Sequence, residues 1–202
     1  MNYLAIDTSG KNLTVILKKG QEVAVFDDGE CGVSHSVELM PRVEELCKKA
    51  NFDLKDADFF VAVVGAGSFT GIRIGVATVK ALCFAFQKPC LSLTSFDTIA
   101  YNKKGGKVLA VIDAKHDGFY VCGYQDKQVI YPPCYINRAE LNEIKKDYKI
   151  LSFADIDGLE VEKVSVANGL KIAIEENLLK INPDINSLEP LYVRKSQAEE
   201  GR

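Results

Sequence analysis

The 202-residue chain carries 25 basic and 28 acidic side chains and is net −3 at neutral pH. That length supports one or two domains with a sizeable core, and the mildly acidic balance argues against a broad basic face and so against tight, unaided binding of nucleic acid. No apolar run is read as reaching the roughly 18–20 residues of a bilayer span, and the opening MNYLAIDTSG lacks a basic stretch followed by a long apolar one, so the expectation is a cytoplasmic protein with neither secretory leader nor membrane partner.

Asn2–Asp7 reads as a buried strand. Leu13–Gly20 and Gln21–Asp28 follow, with Lys19-Gly20 at the turn, giving a three-stranded meander. Next, Leu39, Met40, Val43, Leu46, Cys47 and Ala50 recur at helical spacing with charges opposite. This predicts an amphipathic helix of about four turns. Pro41 is tolerable in a first turn, which places the helix start near Val37 or later. His35, between Ser34 and Ser36, is read as stabilising that start rather than as a general base. Phe59–Val64 is continuously apolar, hence a buried strand. A glycine turn and a second helix follow, ended at Lys88-Pro89. Cys90–Thr94 is a short strand, and Ser95 caps a short helix. Polar, glycine-rich Asn102–Lys107 is a junction, dividing the chain into 1–102 and 103–202.

The turn GAGSFTG (Gly65–Gly71) has the look of a phosphate loop but not its chemistry. A Walker loop needs Lys after its last glycine, and here Ile72 stands there. A dinucleotide fingerprint belongs after the first strand of a parallel unit, with an acid about 20 residues on; this turn follows a fourth strand. Backbone N–H groups could still receive an anion, but the reading preferred is a sharp turn at Gly65 and Gly67 with Ser68 or Thr70 as helix cap. The helix beyond has a narrow polar stripe of Arg73, Lys80 and Gln87. One apolar face holds Ile72, Val76, Val79, Cys83 and Phe86, and another Ile74, Ala77, Ala81, Phe84 and Ala85. Gly71, Gly75, Thr78 and Leu82 form a small-residue seam. A helix lying on a sheet needs one apolar arc, so this one predicts two burial surfaces, the second supplied either by the other lobe of a two-lobed chain or, the reading preferred, by a partner.

Asp7, Thr8 and Ser9 end the first strand before a tight turn, a place where a carboxylate and hydroxyls could hold a magnesium-bound phosphate; closing a hairpin is the simpler use. Asp113 with Asp117 is equally ambiguous. After the junction the opening repeats: AVID at 110–113 echoes LAID at 4–7, each a strand ending in Asp and followed by an alternating strand. A duplicated lobe explains it. Helices near 138–147 and 166–181 and a strand at 149–153 follow, and the polar tail is expected to fray. Six cysteines, Cys31, Cys47, Cys83, Cys90, Cys122 and Cys134, form no C-x-x-C pair and read as reduced and structural. Two distant histidines, His35 and His116, offer no His-based metal site.

LAIDTS, SHSVELMP, GAGSFTGIRIG, LAVIDAKHDGFYVCGY and EPLYVRK occur in the order in which they are found in the TsaB (YeaZ) family, and nearly the whole chain resembles it. Ala66 departs from the family's usual proline. The resemblance implies an α/β, two-lobed fold like actin, hexokinase and the heat-shock ATPases, each lobe an RNase H-like mixed sheet with helices, the second lobe reduced. It also implies a non-catalytic subunit that pairs with the paralogue TsaD, which transfers threonylcarbamoyl to an adenosine of tRNA. The ATPase TsaE joins the complex, and the chain alone forms a homodimer. On that reading this chain carries no metal or cofactor, ATP and metal belong to partner subunits, and tRNA is met only through the complex. The partner interface expected from the residues and the resemblance together is Leu39, Met40, Val43, Gly71, Gly75, Thr78 and Leu82. A vestigial nucleotide site would comprise Asp7, Thr8, Ser9, Gly65, Gly67 and Ser68. The competing readings are a glycoprotease-like or ATP-hydrolysing enzyme and a stand-alone nucleotide-binding module.

Overall fold

The computed structural model describes residues 1–28 and 35–194. The described residues form two compact units. The first takes 1–94 with Ile174–Leu191, and the second takes 95–173 with 192–194. Cys31, Ser34 and the tail beyond Arg194 lie outside the described residues.

In the first unit, β1 (Tyr3–Asp7), β2 (Leu13–Lys19) and β3 (Glu22–Asp28) are the expected meander. β4 (Phe59–Val63) and β5 (Cys90–Leu93) add to it in parallel, giving the order β3-β2-β1-β4-β5. β1 and β4 are buried along their whole length, as central strands covered on both faces must be. On one face of this sheet lie α1 (His35–Lys49) and α2 (Phe69–Phe86), side by side. Leu39, Val43 and Leu46 of α1 and Ile72, Val76, Val79 and Cys83 of α2 share one core with Leu4, Ile6, Val15, Phe60 and Ala62.

Two expectations change here. α1 begins at His35, so Pro41 sits in its second turn. The carbonyl that loses its partner belongs to Val37, whose side chain is exposed, and on that outer side water can replace the missing donor. α2 has mean hydropathy 1.5 over its 18 residues, so by length and composition it could cross a membrane, contrary to the first reading. Its buried side packs on β1, β4 and β5 instead.

In the second unit, β6 (Lys107–Lys115), β7 (Gly118–Gln125) and β8 (Gln128–Asn137) repeat the meander. β8 carries Pro132 and Pro133, which an edge strand tolerates. After α4 (Arg138–Ile144) come β9 (Lys149–Ser152) and a two-residue β10 (Glu162–Lys163), ordered β10-β9-β6-β7-β8. This is the strand order of the first unit again. The core gathers Leu109, Val111, Phe119, Val121 and Leu141.

The compact units do not divide at 102/103. α3 (Ser95–Ala100) packs on β6, β7 and β9, so it belongs with the second sheet. α5 (Val166–Glu176) runs across the division at 173/174. The segment after it joins the first unit by hydrogen bonds: Cys90 and Asn182 exchange both backbone bonds (2.9 and 2.8 Å), and Leu191 N–H donates to Val64 O at 2.7 Å.

Candidate functional site

Of the residues expected to form a vestigial nucleotide site, Asp7, Thr8, Ser9, Gly67 and Ser68 come together, whereas Gly65 faces Ile72 and Leu191. β1 ends in Asp7, and the glycine turn delivers α2 to the same place. Ser68 N–H donates to Ser9 O at 2.6 Å, and Thr8 Oγ1 donates to Gly71 O at 2.7 Å. The Ser68 hydroxyl caps α2, accepting from Gly71 N at 3.2 Å. Two donors that a phosphate could use at this turn, Ser68 N–H and Gly71 N–H, are therefore engaged by the chain's own oxygens.

The packing is close enough to explain the glycines. A Cβ on Gly67 would stand 2.2 Å from Ser9 O, and one on Gly71 2.0 Å from Thr8 O. Both obstacles are backbone and cannot step aside. Asp7, Thr8 and Ser9 are almost without solvent contact, at 3%, 0% and 2% exposure. Burial pushes the Asp7 carboxyl above the usual carboxylate range. Hydrogen bonds from the Ser9 hydroxyl (2.6 Å) and Ser9 N–H (2.8 Å) pull against that shift, as does the charge of His35, while Asp27 adds to it. Asp7, Thr14 and Asp27 lie abreast on β1, β2 and β3, with Thr14 Oγ1 donating to Asp27 at 2.8 Å. His35, at the start of α1, lies 3.3 Å from Lys11 O through Nε2.

The other candidates are held in ordinary contacts. Asp113 accepts from Lys115 N–H and Nζ, both at 2.8 Å. Burial raises its pKa, but these bonds and the charge of Lys115 outweigh it, and the net direction is down. Asp117 pairs with Arg138 at 2.7 Å. Cys47, Cys83, Cys90, Cys122 and Cys134 are free thiols. Burial raises Cys83 and Cys122 to about 12, well away from reactive thiolates. Among the described residues, no three His, Cys, Asp or Glu side chains converge as a metal site would require.

The expected interface residues divide sharply. Leu39 and Val43 are each 1% exposed and Leu82 is 8% exposed, all three in the first unit's own core. Gly71 and Gly75 also face inward: a Cβ on Gly75 would meet Thr8 Oγ1 at 2.5 Å. These five serve internal packing and do not present a surface to a partner. The small-residue seam lets α2 approach the end of β1. Of the seven, Met40 is exposed and Thr78 half-buried.

The outward surface of α2 is the other apolar face, carrying Ala77, Ala81, Phe84 and Ala85, with Phe84 69% exposed. Val37 and Met40 are exposed on α1. A groove of about 630 Å³ lies beside them, lined by Met40, Cys47, Phe52, Leu54 and Phe86 among others. The wheel pattern contained this face; choosing it over the glycine seam required knowing which side met the sheet.

Against known proteins, the sequence model of the TsaD family, described as tRNA N6-adenosine threonylcarbamoyltransferase, matches residues 30–180. The chain is 28% identical to the tRNA threonylcarbamoyladenosine biosynthesis protein TsaB of Bacillus subtilis over 221 residues, covering 98% of this chain and 96% of that protein. It is 32% identical to the Escherichia coli protein of the same name over 130 residues, 62% of this chain and 55% of that one. Among solved structures, YeaZ from Pseudomonas aeruginosa superposes with a TM-score of 0.76 at 21% identity, covering 95% of this chain and 99% of that one. That likeness carries the fold: two mixed sheets with helices.

Proposed function

This chain belongs to the family of the tRNA N6-adenosine threonylcarbamoyltransferase model, within its TsaB (YeaZ) group, which takes part in threonylcarbamoyladenosine biosynthesis on tRNA, and we propose that it serves there as a non-catalytic subunit that binds the paralogue TsaD. The observation that carries the proposal is the outer face of α1 and α2. Phe84, Met40 and Val37 are exposed there, beside a run of alanines that permits close helix approach. A stable contact buries roughly 800 Å² on each partner. Four helices, two from each chain, would supply that.

The chemistry of the Asp7 region supports the non-catalytic part. A carboxylate that is buried, raised by burial and bonded to its own Ser9 is poorly placed to hold a metal-bound phosphate. The glycine turn against it is packed with main-chain atoms. ATP and metal then belong to partner subunits, with the ATPase TsaE joining the TsaD pair, and tRNA is engaged in the assembled complex. Alone, the same helical face pairs with a second copy.

The test is light scattering on size exclusion with this chain, its cognate TsaD and the variant Phe84→Glu. Wild type is expected to co-elute with TsaD. The variant is expected to keep its urea midpoint and lose at least tenfold in affinity, as burying a charge in an apolar contact requires. A wild type that ignores TsaD, or a variant that binds it equally well, overturns the proposal.

A further inference from the structure

Six lysines gather at one end of the second unit's sheet. β6 and β9 are parallel and begin at that end, with Val108 opposite Lys149. Lys107 pairs with Gln125 at the finish of β7, and Gly106 N–H donates to Asp126 at 2.9 Å, so the β7–β8 turn lies there too. Lys103, Lys104 and Lys107 arrive on the segment entering β6. Lys145, Lys146 and Lys149 arrive on the segment entering β9.

The carboxylates at this end include Asp147, Glu160, Glu162, Asp126, which has Lys127 next to it, and Asp97, whose Oδ1 accepts from the Tyr124 hydroxyl at 2.9 Å. Glu162 is shared: its Oε2 is 3.4 Å from Lys103 Nζ and also pairs with Lys149. Two ammonium groups on one carboxylate leave positive charge over. A groove of about 500 Å³ runs beside them, lined by Lys145, Lys146, Tyr148, Lys149, Glu160 and Glu162. The concentration of lysine here stands out because the whole chain is net −3. Like charges held together raise the energy of the free protein, and a polyanion laid across them relieves it. Lysine is a point charge that grips phosphate without reading sequence.

We propose that this lysine edge of the second unit docks the phosphate backbone of RNA, namely the tRNA whose adenosine is modified. The choice of RNA over an acidic protein rests on the function proposed above; the surface itself does not. The edge holds by charge, adding affinity to whatever contacts the assembled complex makes, and it contributes no base specificity.

The test uses the full chain without TsaD and fluorescently labelled unmodified tRNA, by anisotropy from about 25 to about 200 mM salt. Binding in the range of about 10⁻⁴ to 10⁻⁶ M is expected, weakening steeply with salt. The triple variant Lys104→Glu, Lys107→Glu, Lys146→Glu should bind at least tenfold more weakly, with a salt slope smaller by roughly two. A control of equal charge change in the first unit, Lys11→Glu, Lys48→Glu, Lys88→Glu, should weaken it far less. Equal weakening by the control, binding indifferent to salt, or no binding at about 25 mM salt overturns the proposal. So does polyglutamate that occupies the edge better than tRNA, which would identify an acidic protein as the partner. Mixing the lysine variant with TsaD separates the two claims. The variant should still form the mixed complex. A wild type that binds RNA through this edge but not TsaD leaves the lysine edge standing and ends the subunit reading.

Discussion

The two units carry one strand order written twice, β3-β2-β1-β4-β5 and β8-β7-β6-β9-β10, and they part company at a single connection. Between β4 and β5 runs the 18-residue α2. Between β9 and β10 lie only residues 153–161, whose described pairing is the isolated bridge Ile156–Leu159. A parallel crossover needs about a dozen residues to carry a helix back over its sheet. The shorter link has no room for one, and β10 shrinks to two residues. The second lobe is reduced at the element that gives the first its spare apolar face, so that exposed helical face is a property of the first unit alone.

The repeat also kept a detail at the ends of its founding strands. Ser9 N–H donates to Asp7 at 2.8 Å, and Lys115 N–H donates to Asp113 at 2.8 Å, the same two-residue reach in each unit. Their environments then diverge. Asp7 is buried and pushed up, whereas Asp113 is half in water beside Lys115 and drawn down. One shared N–H bond accompanies opposite electrostatics because burial removes water from Asp7, whereas the bonds and charge of Lys115 hold the half-exposed Asp113 down.

Substitutions matched between the units can break or sharpen this comparison. The largest effect is expected where helices approach backbone. Gly71→Ala drives a methyl to 2.0 Å from Thr8 O, and Gly169→Ala drives one to 1.8 Å from Thr98 O in the second unit. Each should lower stability by roughly 3 kcal/mol in urea unfolding. A loss under about 1 kcal/mol at either site would mean that its helix can lift from its neighbour, and that the units differ in rigidity.

Caps come next. Ser68 caps α2 with one bond of 3.2 Å, whereas Asn137 and Glu140 exchange two at the start of α4, of 3.0 and 2.7 Å. Replacement by alanine should lower stability by about 1 kcal/mol for Ser68 and somewhat more for Asn137, within the roughly 0.5–2 kcal/mol of cap losses. The reverse order would show that the Ser68 turn depends on its cap more than the distances imply.

The smallest effects carry the clearest sign. Because the folded pKa of Asp7 is raised, the folded state binds its proton more tightly than the unfolded chain does. Its contribution is complete below the ordinary carboxylate pKa of about 4 and drains away as pH rises through the folded value. Asp7→Asn should therefore stabilise at pH 7 and lose that advantage in acid. Asp113 is depressed, so its contribution is present above about pH 4 and lost as pH falls through its folded value. Asp113→Asn should destabilise at pH 7, and the difference should vanish in acid. Urea midpoints across pH would read both; the same sign at pH 7 for the two variants would refute the contrast.

Local pattern determined a great deal by itself. The Lys19-Gly20 turn between two strand-like runs, the unbroken apolar run at Phe59–Val63 and the LAID/AVID echo announced the meander, the central strand and the duplication, because turn chemistry and burial are written residue by residue. The family motifs, ordered along the whole chain, carried the fold class. What sequence could not assign was direction. In α1, Leu39 and Met40 are neighbours at similar hydrophobicity, yet the first is 1% and the second 41% exposed. In α2 the glycine seam looked like a surface for a partner, and it turned out to be the surface for Thr8. A helix wheel is periodic about an axis and says nothing of which side meets the sheet. Contacts between Gly71 and Thr8, 63 positions apart, exist only once β1 and β4 have paired and brought the glycine turn to the end of β1. The lysine edge has the same origin: its charges come from two segments about 40 residues apart, and only strand register sets the start of β6 against Lys149 at the start of β9.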